Sequence, residues 1–215
     1  MKMRRRHLAA AATTVFLALA ATASGEVKTK VIDYTQDGTS LQGQLAWDDA
    51  MAGKRPGVLV IHEWWGHNEH ARHQARRLTE AGYVAFALDM FGKGKVTTHP
   101  KEAGAFMQEA MKDPAVVAAR FNAALEQLKK DPHVDGTRIA AVGYCMGGTI
   151  ALERARAGAD LDAVVALHAA LGTKTPAQKG KVKARILVLN GAADPMVPQT
   201  QVDAFKQEMT AAIIP

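Results

Sequence analysis

Cys145 is the only cysteine of the chain, and it lies within Gly-Tyr-Cys-Met-Gly-Gly at residues 143–148. An apolar run ends at this segment and a helical pattern follows at once. A strand–turn–helix with glycines two residues before and after its central residue is typical of a nucleophile elbow, here with sulfur in place of a serine oxygen. The alternative is a buried structural thiol, since free cysteine is among the most buried residue types. The flanking Gly143 and Gly147 favour a nucleophile.

Two carboxylates follow other apolar runs and are candidates to act with this thiol. Asp194 comes after the last run and downstream of Cys145, in the chain order that places an acid after a nucleophile; it would orient an imidazolium. The alternative for Asp194 is a local turn at Asp-Pro. Glu63 precedes two tryptophans, where desolvation would let it hold or take a proton; the alternative is a surface loop residue.

The segment around Glu63 is similar to the zinc motif H-E-x-x-H but does not match it. The histidines are His62 and His67, so the second comes one residue too late to share a helix face with the first. His70 and His73 could share a helix face, but no third ligand is evident. We therefore predict no metal site, and no cofactor is needed for the chemistry proposed for Cys145.

The chain begins with a segment typical of a secretory signal peptide. Basic residues at 2–7 precede an apolar stretch from Leu8 to Ala20, and a small-residue cleavage site follows at 21–25. We predict a signal peptide over 1–25, export to the periplasm or medium, and no membrane attachment after cleavage. Its removal leaves 23 lysines and arginines against 21 aspartates and glutamates, which argues against a nucleic-acid partner.

Apolar strands alternate with helices along residues 26–215, which form one predicted domain. This alternation predicts an α/β fold with a mostly parallel, doubly wound sheet, preceded by an antiparallel hairpin at the sheet edge. The predicted strands are 27–34, 41–47, 57–61, 83–88, 139–144, 163–167 and 186–190. The predicted helices are 68–80, 101–111, 114–130, 146–157 and 200–210. In such sheets functional residues meet at the carboxyl ends of the strands.

The chain resembles the dienelactone hydrolase family of α/β-hydrolases. The resemblance rests on V-L-V-I-H-E-W-W-G (58–66), A-G-Y-V-A-F-A-L-D-M-F-G (81–92), A-A-V-G-Y-C-M-G-G (140–148) and L-V-L-N-G-A-A-D-P-M-V-P (187–198), with V-D-A-F (202–205). It implies an α/β-hydrolase fold and hydrolysis of an enol-lactone or a small carboxylic ester.

The resemblance also implies roles for individual residues. Cys145 would be the nucleophile, Asp194 the triad acid, and Glu63 the carboxylate that meets the resting thiol. The backbone N–H groups of Trp64 and Met146 would form the oxyanion hole. From the sequence itself, Trp65 and Phe91 could line an apolar pocket or equally pack in a lid or in the core, and His168 is a further pocket candidate.

The chain departs from the family pattern after Asp194, because no histidine follows that residue in the sequence. The family's triad histidine lies in a later loop, with a final strand and helix. We therefore expect a C-terminally truncated version of the fold that lacks its last strand and helix and hydrolyses poorly. By position, His168 is the nearest substitute for the triad histidine. The alternative is that His168 is a pocket histidine without a catalytic role.

Two other functions fit the same residues. A non-catalytic binding module would keep the pocket without forming a covalent adduct at Cys145. A redox-sensing thiol would need a low thiol pKa, and no lysine or arginine lies in the immediate elbow. For the leading prediction, a hydrolase, we expect a monomer acting on a small-molecule ester or lactone.

Overall fold

The structure of the protein is a computed structural model, and it describes residues 25–212. The predicted signal peptide, apart from Gly25, lies outside these residues. The strands are β1 Val27–Gln36, β2 Thr39–Asp48, β3 Arg55–Ile61, β4 Val84–Leu88, β5 Val134–Tyr144, β6 Ala163–Leu167 and β7 Arg185–Leu189. The helices are α1 Glu69–Glu80, α2 Pro100–Met111, α3 Pro114–Lys129, α4 Met146–Arg156 and α5 Gln199–Ala212.

The seven strands form one sheet in the order β1-β2-β4-β3-β5-β6-β7. β1 and β2 pair in antiparallel register at one edge, and β2 is antiparallel to β4. Asp37 and Gly38 connect them with φ angles of 44° and 76°, the left-handed geometry of a two-residue hairpin turn. The predicted edge hairpin is therefore confirmed.

The remaining strands are parallel, as the alternation of strands and helices predicts. β4 is buried along its whole length, and β3 is buried from Gly57 to Ile61. Continuous apolar runs of this kind belong to strands covered on both faces. The elements lie close to their predicted bounds, except that β5 begins earlier, at Val134. The predicted α/β-hydrolase architecture is confirmed.

Helices pack on both faces of the sheet and leave part of one face open. Ala71 and Ala75 of α1 pack over Val58 and Val60 on one face, whereas α3 and α4 pack into the core on the other. At the β7 edge Leu187 and Leu189 are 51% and 49% exposed. Within residues 25–212, β7 pairs only with β6, and no helix is long and apolar enough to cross a bilayer.

Candidate active site

Cys145 occupies a sharp turn between β5 and α4, as the sequence pattern predicts. Its backbone has φ 53° and ψ −115°, a conformation that L-residues rarely adopt. A Cβ added to Gly143 would lie 2.1 Å from the carbonyl oxygen of Gly147, and one on Gly147 would lie 2.3 Å from that of Ile61. Both glycines are thus required for β5, α4 and the end of β3 to pass one another.

The thiol of Cys145 is partly exposed, and two carboxylates act on it. Burial raises the pKa of the Cys145 thiol, the charges of Glu63 and Asp194 raise it further, and a hydrogen bond from the N–H of Met146 partly offsets them. Both carboxylates chosen from the sequence therefore lie close enough to Cys145 for their charges to act on its thiol. A thiol with a raised pKa is protonated at rest, which argues against the redox-sensing alternative.

The backbone N–H groups of Met146 and Trp64 are the donors predicted for an oxyanion site. Met146 is the first residue of α4, so its N–H has no acceptor within the helix, and it acts to lower the pKa of the adjacent Cys145 thiol. The N–H of Trp64 makes no main-chain hydrogen bond within the described range. Gly147 packs against the end of β3, so the turn that carries Met146 lies beside the segment that leads to Trp64, and two N–H donors there would stabilise developing negative charge.

The carboxylate of Asp194 has two different surroundings. Its Oδ1 accepts a hydrogen bond from the N–H of Met196 at 2.9 Å, so the local turn after Asp194 does form. Its Oδ2 is buried, lies 3.1 Å from Nε2 of His168, and has no well-directed donor among the described residues. The turn therefore positions the carboxylate, and one of its oxygens remains free for a basic partner.

His168 follows β6, and its side chain is 52% exposed. Its backbone is left-handed, with φ 55°, and its N–H donates to the carbonyl oxygen of Leu189 at 2.9 Å. The contact between His168 and Asp194 was not predicted from sequence, which identified His168 as a pocket candidate and as the nearest substitute by position for the triad histidine.

The aromatic pocket candidates have different surroundings. Trp65 is partly exposed, its ring centroid lies 4.8 Å from that of Trp64, and it lines a cavity of about 290 Å³ with Val96. Phe91 is buried in the core, edge-on to His62 with 4.8 Å between ring centroids. Phe91 thus belongs to the core and packs against His62, whereas Trp65 lines a cavity.

His62 and Asp89 also end strands, but their polar atoms are used within the fold. Nε2 of His62 accepts a hydrogen bond from the N–H of Met90 at 3.1 Å, and its Nδ1 faces the carbonyl oxygen of Glu63. Asp89 accepts hydrogen bonds from the N–H groups of Phe91 and Gly92. Among residues 25–212 no cluster of three histidine, cysteine or acidic side chains suits a metal ion.

Sequence reasoning did not identify Asn190, which joins the loops that carry His168 and Asp194. Its side chain accepts from the N–H of Ala169 and donates to the carbonyl oxygen of the same residue, both at 3.1 Å. An asparagine directly after an apolar strand and before Gly191 is the only sequence signal for it, and such a pair usually marks a simple turn.

Comparisons with known proteins bear on the family and the fold of the chain. The model of the dienelactone hydrolase family matches residues 41–215. A solved structure entitled "m3DLH" is 41% identical with a TM-score of 0.83, over 88% of this chain and 79% of that one. A dienelactone hydrolase-like promiscuous phosphotriesterase from metagenomic libraries is 36% identical, with the same TM-score and coverage.

The chain matches a smaller share of the length of its relatives known from sequence. A "Putative carboxymethylenebutenolidase" of Methylorubrum extorquens is 31% identical over 76% of this chain and 60% of that protein. The chain spans 53% of the length of two further relatives, from Aquifex pyrophilus and Aquifex aeolicus, at 29% and 31% identity.

Proposed function

Because this chain belongs to the dienelactone hydrolase family, we propose that it cleaves small carboxylic esters or lactones with Cys145 as the nucleophile. The observation that carries the proposal is the partly exposed thiol on a strained turn, with the charges of Glu63 and Asp194 acting on it. The names of relatives such as the Methylorubrum protein support the same class of substrate.

The proposed reaction has two stages. The sulfur of Cys145 gives up its proton and bonds to the carbonyl carbon, while the N–H groups of Trp64 and Met146 bind the developing oxyanion. Expulsion of the alkoxide leaves a thioester, which water then cleaves to a carboxylic acid and the free thiol. Glu63 keeps the thiol protonated until substrate arrives, because its negative charge opposes formation of a thiolate.

Mass spectrometry of the intact protein tests this proposal. Incubation with p-nitrophenyl acetate should add one acetyl group, located on Cys145 by peptide mapping, and should release one equivalent of nitrophenol in a burst. Cys145→Ala should give neither. Ligand binding by calorimetry without any adduct would instead support the non-catalytic binding module. The poor hydrolysis expected from sequence stays a prediction, which the rate of thioester decay in the same experiment measures.

We also propose that the chain is exported by its N-terminal segment. The basic start, the apolar stretch and the small residues at 21–25 support this. Expression in a bacterial host followed by fractionation should place a shortened protein outside the cytoplasm, with its N-terminus within 24–26. Recovery of the full-length protein from the cytoplasm alone would contradict export and leave the proposed hydrolysis untouched.

A further inference from the structure

The register of the sheet places His168 next to the proposed nucleophile. Tyr144 at the end of β5 pairs with Leu167 at the end of β6, and the N–H of Cys145 donates to the carbonyl oxygen of Leu167 at 2.8 Å. Cys145 and His168 are the residues that follow this pair. Neighbouring strands lie about 5 Å apart, so an imidazole at position 168 is within reach of a thiol at position 145.

Both residues adopt a backbone conformation that is unusual for their types. Within residues 25–212 three non-glycine residues have positive φ angles: Asp37 at 44°, Cys145 at 53° and His168 at 55°. Asp37 belongs to the hairpin turn, whereas Cys145 and His168 follow the ends of β5 and β6. Such strain is energetically unfavourable and concentrates at functional sites. Its occurrence at neighbouring strand ends favours a shared role.

The carboxylate of Asp194 provides a partner for this imidazole. Its buried Oδ2 lies 3.1 Å from Nε2 of His168 but has no well-directed donor within the described residues. A buried acceptor without a donor has a free-energy cost, which is greater when the acceptor is charged. The half-exposed ring can rotate to direct its N–H at this oxygen, which removes that cost.

The scaffold holds the two loops in this arrangement. Asn190 makes two hydrogen bonds to the backbone of Ala169, the residue after His168, and it lies four residues before Asp194. The N–H of Ala170 donates to Oγ1 of Thr149 on α4. The loop after β6 is therefore tied both to the loop that carries the acid and to the helix that follows the nucleophile.

We propose that His168, oriented by Asp194, is the proton acceptor for Cys145, an inference that rests on the proposed hydrolysis. With Nε2–H directed at Asp194, the lone pair on Nδ1 takes the thiol proton as sulfur bonds to the carbonyl carbon. The imidazolium then gives this proton to the departing alkoxide. In the second stage His168 takes a proton from the attacking water and returns it to the cysteine sulfur as the thioester breaks.

The first test does not depend on hydrolase activity. Iodoacetamide alkylates the thiolate, so its rate against pH reports the pKa of Cys145, on which Glu63 and Asp194 also act. His168→Gly suits the left-handed backbone and removes the acceptor, so it should move the inflection to higher pH. His73→Gln, an exposed histidine of α1, is the matched control and should leave the profile unchanged. An unchanged profile in His168→Gly overturns the proposal.

The second test measures the reaction itself. The burst of nitrophenol from p-nitrophenyl acetate should slow by about 100-fold in His168→Gly, in the usual range for loss of a general base. Added imidazole should restore part of that rate, which a purely structural role would not allow. Circular dichroism checks that the variant is folded.

The two proposals fail in different ways. If the wild-type protein forms no acetyl adduct, the proposed function fails, and the alkylation profile still decides whether His168 accepts the thiol proton. If Cys145 is acetylated equally fast with and without His168, the function stands and the assignment of His168 is wrong.

Discussion

The carbonyl oxygen of Gly147 occupies the space that a side chain at Gly143 would need, 2.1 Å from the position of its Cβ. Because the obstacle is backbone at the start of α4, it cannot move without shifting the helix. The contact thus couples the strand before Cys145 to the helix after it, and it makes the position of the thiol sensitive to a single methyl group.

We expect Gly143→Ala to destabilise the protein by about 3 kcal/mol, the upper part of the range for overpacking, and to slow acetylation of Cys145. Urea unfolding measures the first effect and the nitrophenol burst the second. Gly104→Ala is the matched control, since nothing lies within 4 Å of a Cβ built there. Within α2 this change should stabilise the protein by about 0.5–1 kcal/mol. Equal effects of the two variants would contradict the role of the turn.

Glu63→Gln should lower the pKa of the Cys145 thiol. Burial is the largest cause of its raised pKa, and the negative charge of Glu63 adds to it, so a neutral amide makes the thiolate easier to form. The inflection of iodoacetamide alkylation should then move to lower pH. Glu80→Gln, an exposed residue at the end of α1, should leave it in place. A shift to higher pH in Glu63→Gln would mean that Glu63 does not act through its charge.

Much of this fold follows from local sequence patterns, whereas contacts between distant segments do not. The buried strand from Val84 to Leu88 and the elbow at Cys145 are each contained in a short run of residues, so hydrophobic patterning and glycine spacing predict them. The contact between His168 and Asp194 depends on the pairing of β6 with β7 and on the two hydrogen bonds of Asn190. Nothing in either segment alone encodes it.

Arg156 illustrates the same limit for charged residues. Arginine near the end of a helix ordinarily lies in solvent, yet its side chain is 2% exposed. Its Nη2 and Nε donate to the two carboxylate oxygens of Glu208 at 2.9 and 2.8 Å, and Nη1 donates to Glu153 at 2.8 Å. Glu208 is 52 residues away, so its pairing with Arg156 appears only once α5 is placed against α4.

We expect Glu208→Gln to destabilise the protein by about 3 kcal/mol at pH 7, because it leaves the buried guanidinium of Arg156 less well paired. Burial acts to raise the pKa of Glu208, but hydrogen bonds from Arg156 and Ala177 and the charge of Arg156 outweigh it and lower the pKa. A carboxylate with a lowered pKa contributes stability above its ordinary pKa and loses it on acidification.

The pH dependence distinguishes this ion pair from simple packing. Urea unfolding should show the difference between wild type and Glu208→Gln shrinking as the pH falls below about 4.5, the ordinary value for glutamate. Glu109→Gln is the control, since its pair with Lys112 is exposed and contributes about 0–1 kcal/mol. If the difference in the free energy of unfolding stays constant down to pH 3, the effect comes from packing and not from the charge of Glu208.

His67 should make the protein lose stability in mild acid. Its pKa is lowered from 6.5 to about 4, mainly by burial and also by the neighbouring His62 and Arg72, while Asp89 and Glu69 oppose the shift. The unfolded chain therefore binds a proton that the folded protein does not bind between pH 6.5 and 4. Stability falls as the pH drops through this window, by roughly 3 kcal/mol for a shift of this size.

Urea unfolding between pH 7 and 4 measures this effect in wild type and in His67→Gln, which has no titrating ring at this position. The variant should lose less stability over the window, although burial also lowers the pKa of His62, so some dependence remains. His73→Gln, exposed on α1, should retain the wild-type slope. If His67→Gln and wild type have parallel profiles, His67 has the same pKa in the folded and the unfolded chain, and the acid sensitivity has another source.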